Sequence, residues 1–359
     1  MELMFNAETY TRQGRGKDLV DATVELVKEN LNGVKSIDYS EKNENLKKNL
    51  VSYASEIANI DTSMYDLTNE MDFAQALDDK KFANAMFSVV LKSLEKINTK
   101  AELNQMYQFI EFLSLADGDS FNTKREANGI VEFESTGYSN NAQLLKYRFD
   151  DNKVILPERK ETAIACDLYQ MTAYGFDFAK FVADIALGER RDMQLNAINA
   201  LMASSTPITG AFTLTNFAKD DYIELVEKLQ SFNGRGIKAY GTRSAWTKVS
   251  DSGIDAKYLY GSVGDEMVKT GMIADIYNVP SVVLDQAISK DGQFNLQVPS
   301  DKLVLCPEGI RPVKLVMEGT RRIRFDNDGD NSIGLRTYKV ISGWKADVVT
   351  NGSSGLVLL

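Results

Sequence analysis

Apolar residues recur at helical spacing over residues 176–203, on both sides of Gly188. Asp177 stands where an N-cap residue is expected, and the Ser-Ser-Thr-Pro sequence after position 203 ends the pattern, because a proline disfavours the α conformation in the preceding residue. The spacing predicts one helix over 177–203, about 40 Å long at 1.5 Å per residue. Its charged centre, 188–192, leaves two interpretations open: a core helix with a solvated middle, or a spine on which other subunits pack.

Three further helices are predicted in the first hundred residues. Each has a narrow apolar stripe, so each must pack on another part of this chain or on another chain. A glycine at a C-cap-like position, Gly33, ends the first of them. The predicted helices are Lys17–Asn30, Glu41–Asn59 and Asp79–Ile97.

Short apolar runs then predict strands. A polar, turn-rich segment over 135–152 separates the second and third runs, which favours a protruding two-stranded arm over a tight hairpin. The predicted strands are Gln108–Leu115, Gly129–Glu134, Lys153–Leu156 and Thr162–Asp167.

Beyond the central helix, helical and strand patterns alternate, which is typical of a compact α/β domain. The predicted helices are Asp220–Phe232 and Val263–Ile276, and the predicted strands are Gly236–Arg243, Ser281–Leu284 and Lys302–Leu305. The remaining stretch, 311–359, reads as strands and turns alone.

Composition narrows the chemistry. The 359 residues carry a formal net charge of −10, which argues against a general phosphate-binding surface. The absence of histidine removes the commonest general base and zinc ligand. Cys166 and Cys306 follow apolar residues, so we expect buried free thiols and a reducing compartment during folding. The start of the chain lacks a signal-peptide pattern, and we expect no membrane-spanning segment.

The sequence offers one carboxylate pattern that could hold a metal. Asp326, Asp328 and Asp330 alternate as in a calcium loop, but the sixth position is Asn331 and the twelfth is Thr337, where such a loop has glycine and glutamate. A hairpin turn explains the pattern better. A metal-dependent hydrolase or nuclease is kept as the alternative, and the chain is predicted not to be an enzyme.

Two charged groups are candidates for contacts between subunits. The first lies at the centre of the long helix and favours a solvated or intersubunit face over a catalytic cluster. The second is the one basic concentration in the chain, and it fits either a solvated strand face or an acidic patch on a neighbouring subunit. The residues are Glu189, Arg190 and Arg191 in the first group, and Arg311, Lys314, Arg321, Arg322 and Arg324 in the second.

Taken in order, these elements resemble the major capsid proteins of tailed bacteriophages, whose fold is shared with encapsulin shells and herpesvirus capsid floors. Four stretches carry the resemblance: GDSFNTKREANGIVEFESTG, IALGERRDMQLNAINALM, GMIADIYNVPSVVL and KVISGWKADVVTNGSSGLVLL. The resemblance implies an α+β fold with an N-terminal arm, an extended β-hairpin loop, a peripheral domain with a long spine helix, and an inserted axial α/β domain. It assigns 1–107 to the arm and helical region, 108–212 to the first part of the peripheral domain with the extended loop at 119–165 and the spine helix at 177–203, 213–310 to the axial domain, and 311–359 to the final peripheral strands.

The resemblance also implies a function. Such a subunit assembles into hexamers and pentamers of an icosahedral head around double-stranded DNA, needs no cofactor, and works with scaffolding and portal proteins in the bacterial cytoplasm before residing in the virion. Some relatives cross-link a loop lysine to a neighbour's asparagine, for which Lys146, Lys153 and Asn351 are the candidates here. The alternatives are an encapsulin-like cargo shell and a tail or adhesion component that forms rings or tubes.

Overall fold

The computed structural model describes most of the chain. The described residues are 8–12, 14–33, 35–61, 76, 79–99, 103, 109–126, 149–167, 177–203, 212–253, 275–288, 295–319, 322–326, 335–348 and 354–359. None of the helices in these ranges is long and apolar enough to cross a membrane.

The first part of the described chain is helical, as predicted. Gly33 follows α2 with a φ of 68°, a left-handed conformation that suits a glycine after a helix end. Asp79 caps α4 by accepting hydrogen bonds from the backbone N–H groups of Lys81 and Phe82. The helices are α1 (Glu8–Thr11), α2 (Arg15–Leu31), α3 (Tyr39–Ala58) and α4 (Lys80–Ile97).

Helix α4 is the centre of this helical region. Its buried residues lie on every side, which is the pattern of a helix enclosed by others. One apolar core joins α2, α3 and α4 to the first half of the next long helix and to Val340. The narrow stripes of the N-terminal helices therefore find their partner within this chain.

The predicted long helix is confirmed as α5, Phe178–Ala203. The carboxylate of Asp177 accepts the backbone N–H of Lys180 at 2.9 Å, which makes Asp177 the predicted N-cap. Asn43 Oδ1 accepts a second N–H of the first turn, that of Ala179, at 3.2 Å. The apolar residues of α5 divide at its centre: those before Gly188 belong to the core of the N-terminal helices, and those from Met193 onward belong to a second core.

A five-stranded sheet lies against α5. Its strands are β1 (Ile110–Leu115), β4 (Glu158–Asp167), β10 (Val313–Glu318), β11 (Arg322–Asp326) and β12 (Leu335–Val348). Their order is β1-β10-β12-β11, with β4 also paired to β12. Strands β1 and β10 are parallel, and the other pairs are antiparallel.

A separate two-stranded ribbon corresponds to the predicted extended arm. It pairs β2 (Phe121–Glu126) with β3 (Phe149–Ile155) antiparallel, from Phe121 opposite Ile155 outward. The structure places the return of the arm earlier than the expected 165, because β4 pairs along its whole length with β12. The predicted strand over 129–134 and the polar segment up to 148 lie outside the described residues.

The predicted α/β unit is a six-stranded sheet, with two helices contributing to its core. Its elements are β5 (Thr213–Thr215), α6 (Lys219–Asn233), β6 (Ile237–Thr242), α7 (Arg243–Gly253), β7 (Asp275–Ile276), β8 (Val279–Leu284), β9 (Lys302–Pro307) and β13 (Gly355–Leu358). The strand order is β5-β13-β9-β6-β8-β7. A helix was expected up to position 276, but 275–276 form a strand and 254–274 lie outside the described residues.

The last strand departs from the expected division of the chain. We expected all of 311–359 to complete the peripheral sheet, but β13 (Gly355–Leu358) lies between β5 and β9 in the α/β sheet. Its Val357 is fully buried in the core of that unit. Strand β13 therefore joins β5, which follows α5 in the chain, to the rest of the α/β sheet.

Candidate functional site

The N-terminus of α5 is held by a polar cluster that reaches across the chain. Asp177 Oδ1 caps the helix and also accepts a hydrogen bond from the Tyr39 hydroxyl at 2.6 Å. Its other carboxylate oxygen forms an ion pair with Lys35 at 3.1 Å. The Lys35 ammonium also lies over the Tyr39 ring, 4.3 Å from its centroid. Two contacts, from Lys35 and from Tyr39 at the first position of α3, thus join this part of the chain to the start of α5, and the contact between Lys35 and Tyr39 supports both.

These contacts shift the protonation of the groups involved. Burial raises the pKa of Asp177, but the hydrogen bonds from Tyr39, from the Lys180 N–H and from Lys35 outweigh it, so the pKa lies below its ordinary value. Burial, followed by the hydrogen bond to this carboxylate, raises the pKa of the Tyr39 hydroxyl. Asp177 is therefore a stable anion and Tyr39 a stable donor at neutral pH.

A second polar cluster lies at the centre of α5. The carboxylate of Glu189, which is 7% exposed, accepts hydrogen bonds from Asn98 at 2.9 Å and from the Ser342 hydroxyl at 3.1 Å. Arg190 donates to Asn98 Oδ1 at 2.6 Å and to the carbonyl of Ile97 at 2.7 Å. Glu189 and Arg190 thus have partners within the chain, and their intersubunit contact stays a prediction. Burial among apolar neighbours demands such partners.

Arg191 differs from its two neighbours in the sequence. Its side chain is exposed and donates to the carbonyl of Ile288 at 3.1 Å. Leu187, one turn earlier on α5, is 49% exposed. Ile288 and the residue bridged to it, Leu296, are 41% and 60% exposed. An intersubunit contact of Arg191 stays a prediction, with exposed apolar residues beside it.

The structure places the basic residues of 311–324 in different surroundings. Arg311 donates to the carbonyl of Ile110 at 3.2 Å, and Lys314 forms an ion pair with Glu111. Both cations therefore hold β10 against β1.

The other three arginines of the basic concentration are described only in part. Arg322 and Arg324 lie on β11, where their backbones pair with Ile341 and Lys339. Arg321 lies outside the described residues. Contacts of these arginines with a neighbouring subunit stay a prediction.

Of the three residues proposed for the cross-link, only Lys153 lies in the described part of the chain. Lys153 lies on β3, opposite Thr123 of β2, in the ribbon. Lys146 and Asn351 lie outside the described residues. The cross-link stays a prediction.

The carboxylate pattern also falls at the limit of the described chain. Asp326 is the last residue of β11, and Asp328 and Asp330 lie outside the described residues. Elsewhere in the described ranges, no group of three histidine, cysteine or acidic residues is placed to hold a metal ion.

The thiol of Cys306 is buried and forms no disulfide, as predicted. Burial raises its pKa to about 12, so it is protonated at neutral pH and a poor nucleophile. For Cys166 the structure describes only the backbone, in β4 opposite Arg336.

Sequence reasoning missed the partners of both polar clusters. Lys35 and Tyr39 contact Asp177 across 142 and 138 residues of the chain, and Asn98 contacts Glu189 across 91. No local pattern reports such pairs. The only sequence signal was that charged residues interrupted an otherwise apolar stripe.

Comparison with known proteins identifies the fold of this chain. No protein-family model matches the chain, and no curated protein matches it by sequence. The capsid of a native GTA particle, solved with C5 symmetry, superposes with a TM-score of 0.51 at 12% identity, covering 73% of this chain and 91% of that chain. This chain has a capsid-protein fold. The predicted α+β capsid fold is therefore confirmed at the level of the fold.

Two further solved structures are also similar to this chain. The mature capsid of bacteriophage PhiM1 has a TM-score of 0.48 at 11% identity, covering 70% of this chain and 85% of that chain. The encapsulin SrpI from Synechococcus elongatus PCC 7942 has a TM-score of 0.40 at 12% identity, covering 69% and 84%.

Proposed function

We propose that this chain is the structural subunit of an icosahedral shell, assembling as hexamers and pentamers around double-stranded DNA. The observation that carries the proposal is the fold shared with the capsid of a GTA particle over 91% of that chain. The likeness extends over 73% of this chain, which is more than one common motif.

Exposed apolar residues on two elements support assembly. Val154 and Leu156, at the base of the ribbon, are 54% and 57% exposed, and Leu187 lies exposed on the spine helix. A shell subunit is surrounded by copies of itself, so apolar residues on a protruding ribbon and on the spine suit contacts between neighbours. The polar clusters at Asp177 and Glu189 bind the spine helix to other elements of the same chain, which supports a subunit that keeps one conformation in a lattice.

The same proposal places the chain in the virion, assembled in the bacterial cytoplasm with scaffolding and portal proteins and without catalysis. The acidic net charge of −10 supports a wall that encloses DNA without trapping it.

Native mass spectrometry of the purified full chain tests the proposal. We expect species of five and six subunits of 40.0 kDa each, alone or after co-expression with the neighbouring genes. Larger shells formed without any neighbour would favour the cargo-shell alternative within the same fold. A monomer under both conditions contradicts the proposal.

A further inference from the structure

The outward side of the N-terminal helices carries a groove that the shell proposal leaves unused. It lies between α2 and α3 and encloses about 450 Å³. Three leucines form its floor, namely Leu19, Leu26 and Leu46, which are 6%, 3% and 4% exposed. Helix α4 packs on both α2 and α3, and every residue that lines the groove belongs to α2 or α3, so no third element in the described part of the chain lines it.

The α2 wall of the groove is acidic. Asp18 and Glu25 both line it, and both are exposed. They are seven residues apart, so they lie on one face of the helix about 10 Å from each other. Among the described residues, neither carboxylate forms an ion pair with another side chain.

The cations of the groove are already neutralised by the chain. Arg15 forms an ion pair with Glu56 and donates to the Ser52 hydroxyl at 3.1 Å. Lys42, on the α3 wall, pairs with Asp38 at 3.2 Å. The groove therefore combines an apolar floor with an excess of negative charge on one wall.

We propose that this groove binds an amphipathic helix of a separate polypeptide, carrying two basic residues two turns apart. A helix laid along α2 and α3 would set its basic residues against Asp18 and Glu25 and its apolar residues against the leucine floor. The amide side chains of Asn45 and Asn49 on the α3 wall would meet the polar flank of that helix.

The described helices indicate why the occupant is a different polypeptide. None of them carries two basic residues at positions i and i+7. No described helix of a second copy therefore matches the charges of Asp18 and Glu25, which favours a separate polypeptide as the occupant. The inference does not depend on shell assembly, since the groove is complete within one subunit.

A designed peptide tests the proposal on the full chain. The probe is a fluorescein-labelled helix of about 18 residues with lysines at i and i+7 and leucines between them at i+3 and i+4. Fluorescence anisotropy should show saturable binding of this probe that weakens as salt is added. A matched probe with glutamates in place of the lysines should bind at least ~10-fold more weakly, because like charges would then face each other.

Two variants locate the binding site. Asp18→Asn combined with Glu25→Gln should weaken the lysine probe by about 5- to 10-fold, as expected for two exposed ion pairs. The control, Asp184→Asn with Glu227→Gln, makes the same change at exposed positions on α5 and α6 and should bind as the wild type does.

A third variant tests the groove itself. Ala22 lines the groove and is exposed, so Ala22→Phe should fill it and abolish binding while leaving the fold intact. Equal binding of the two probes, wild-type binding by the Asp18/Glu25 variant or by Ala22→Phe, or no saturable binding up to about 1 mM would overturn the proposal. So would self-association of the chain that is lost in the Asp18/Glu25 variant, because the occupant would then be a second copy.

Discussion

Asp177 caps the spine helix, accepts a hydrogen bond from Tyr39 at the start of α3, and forms an ion pair with Lys35 in the loop before it. Asp177→Ala removes all three, and we expect a loss of about 1–2 kcal/mol in the free energy of unfolding, chiefly from the lost cap. Urea denaturation followed by circular dichroism measures it. Asp184→Ala, at an exposed position on the same helix, is the control and should change stability by less than about 0.5 kcal/mol.

The charge of Asp177 also predicts that the free energy of unfolding depends on pH. Because its pKa in the folded chain is lowered, the carboxylate contributes stability above the ordinary aspartate pKa of about 3.9, and that contribution is lost as pH falls through the folded pKa. The stability difference between the wild type and Asp177→Asn should therefore be constant near neutrality and shrink below about pH 4. A difference that stays unchanged in acid would contradict the assignment.

Glu189 is the second residue on which the spine depends. Glu189→Ala would leave two buried donors, on Asn98 and Ser342, without their acceptor, and we expect a cost of about 2–4 kcal/mol. Glu189→Gln is the matched control. Its amide can accept from one partner and donate to the other, so it should cost about 1 kcal/mol. Equal losses for the two variants in thermal or urea unfolding would show that these hydrogen bonds are not responsible.

At the scale of elements, Gly188 in the middle of the spine helix leads to a testable prediction. A Cβ at Gly188 would meet no atom within 4 Å, so Gly188→Ala should stabilise the chain by about 0.5–1 kcal/mol through better helix propensity. Gly241→Ala in β6 should instead cost about 1–3 kcal/mol, because its Cβ would overlap the Leu303 side chain in the core. Melting temperatures that move in the same direction for both variants would contradict these environments.

The sequence was sufficient for elements whose signal is local. The long helix, its cap at Asp177 and the three N-terminal helices each follow from a stripe of apolar residues with a cap or a breaker at its end. The buried strands β6, β8 and β9 follow from short apolar runs. Each of these patterns describes a single element, so the prediction does not depend on what that element packs against.

Assignments that depend on pairing could not be made in the same way. Strand β13 looks like any short apolar strand, and only its long-range pairing with β5 and β9 places it in the α/β sheet. The sequence predicts most of β4 as part of the arm, because its local pattern of residues does not distinguish it from β3. The intrachain partners of Glu189 and Arg190 were hidden for the same reason, since Asn98 is remote in sequence.

For the whole molecule, the spine helix is the element that unites two cores. Its first half packs on the N-terminal helices, and its second half packs in a core shared by the five-stranded and six-stranded sheets, through residues such as Phe112, Val304 and Trp344. One continuous helix thus links both cores, which suits the proposed role in a shell.

Electron microscopy of the purified chain, alone and co-expressed with its neighbouring genes, tests the central claim most directly. The account predicts closed icosahedral particles, or rings of six and five subunits, in which the map shows the spine helix Phe178–Ala203 and the ribbon of β2 and β3. A uniform small monomer in both preparations would contradict the shell assignment and leave only the fold.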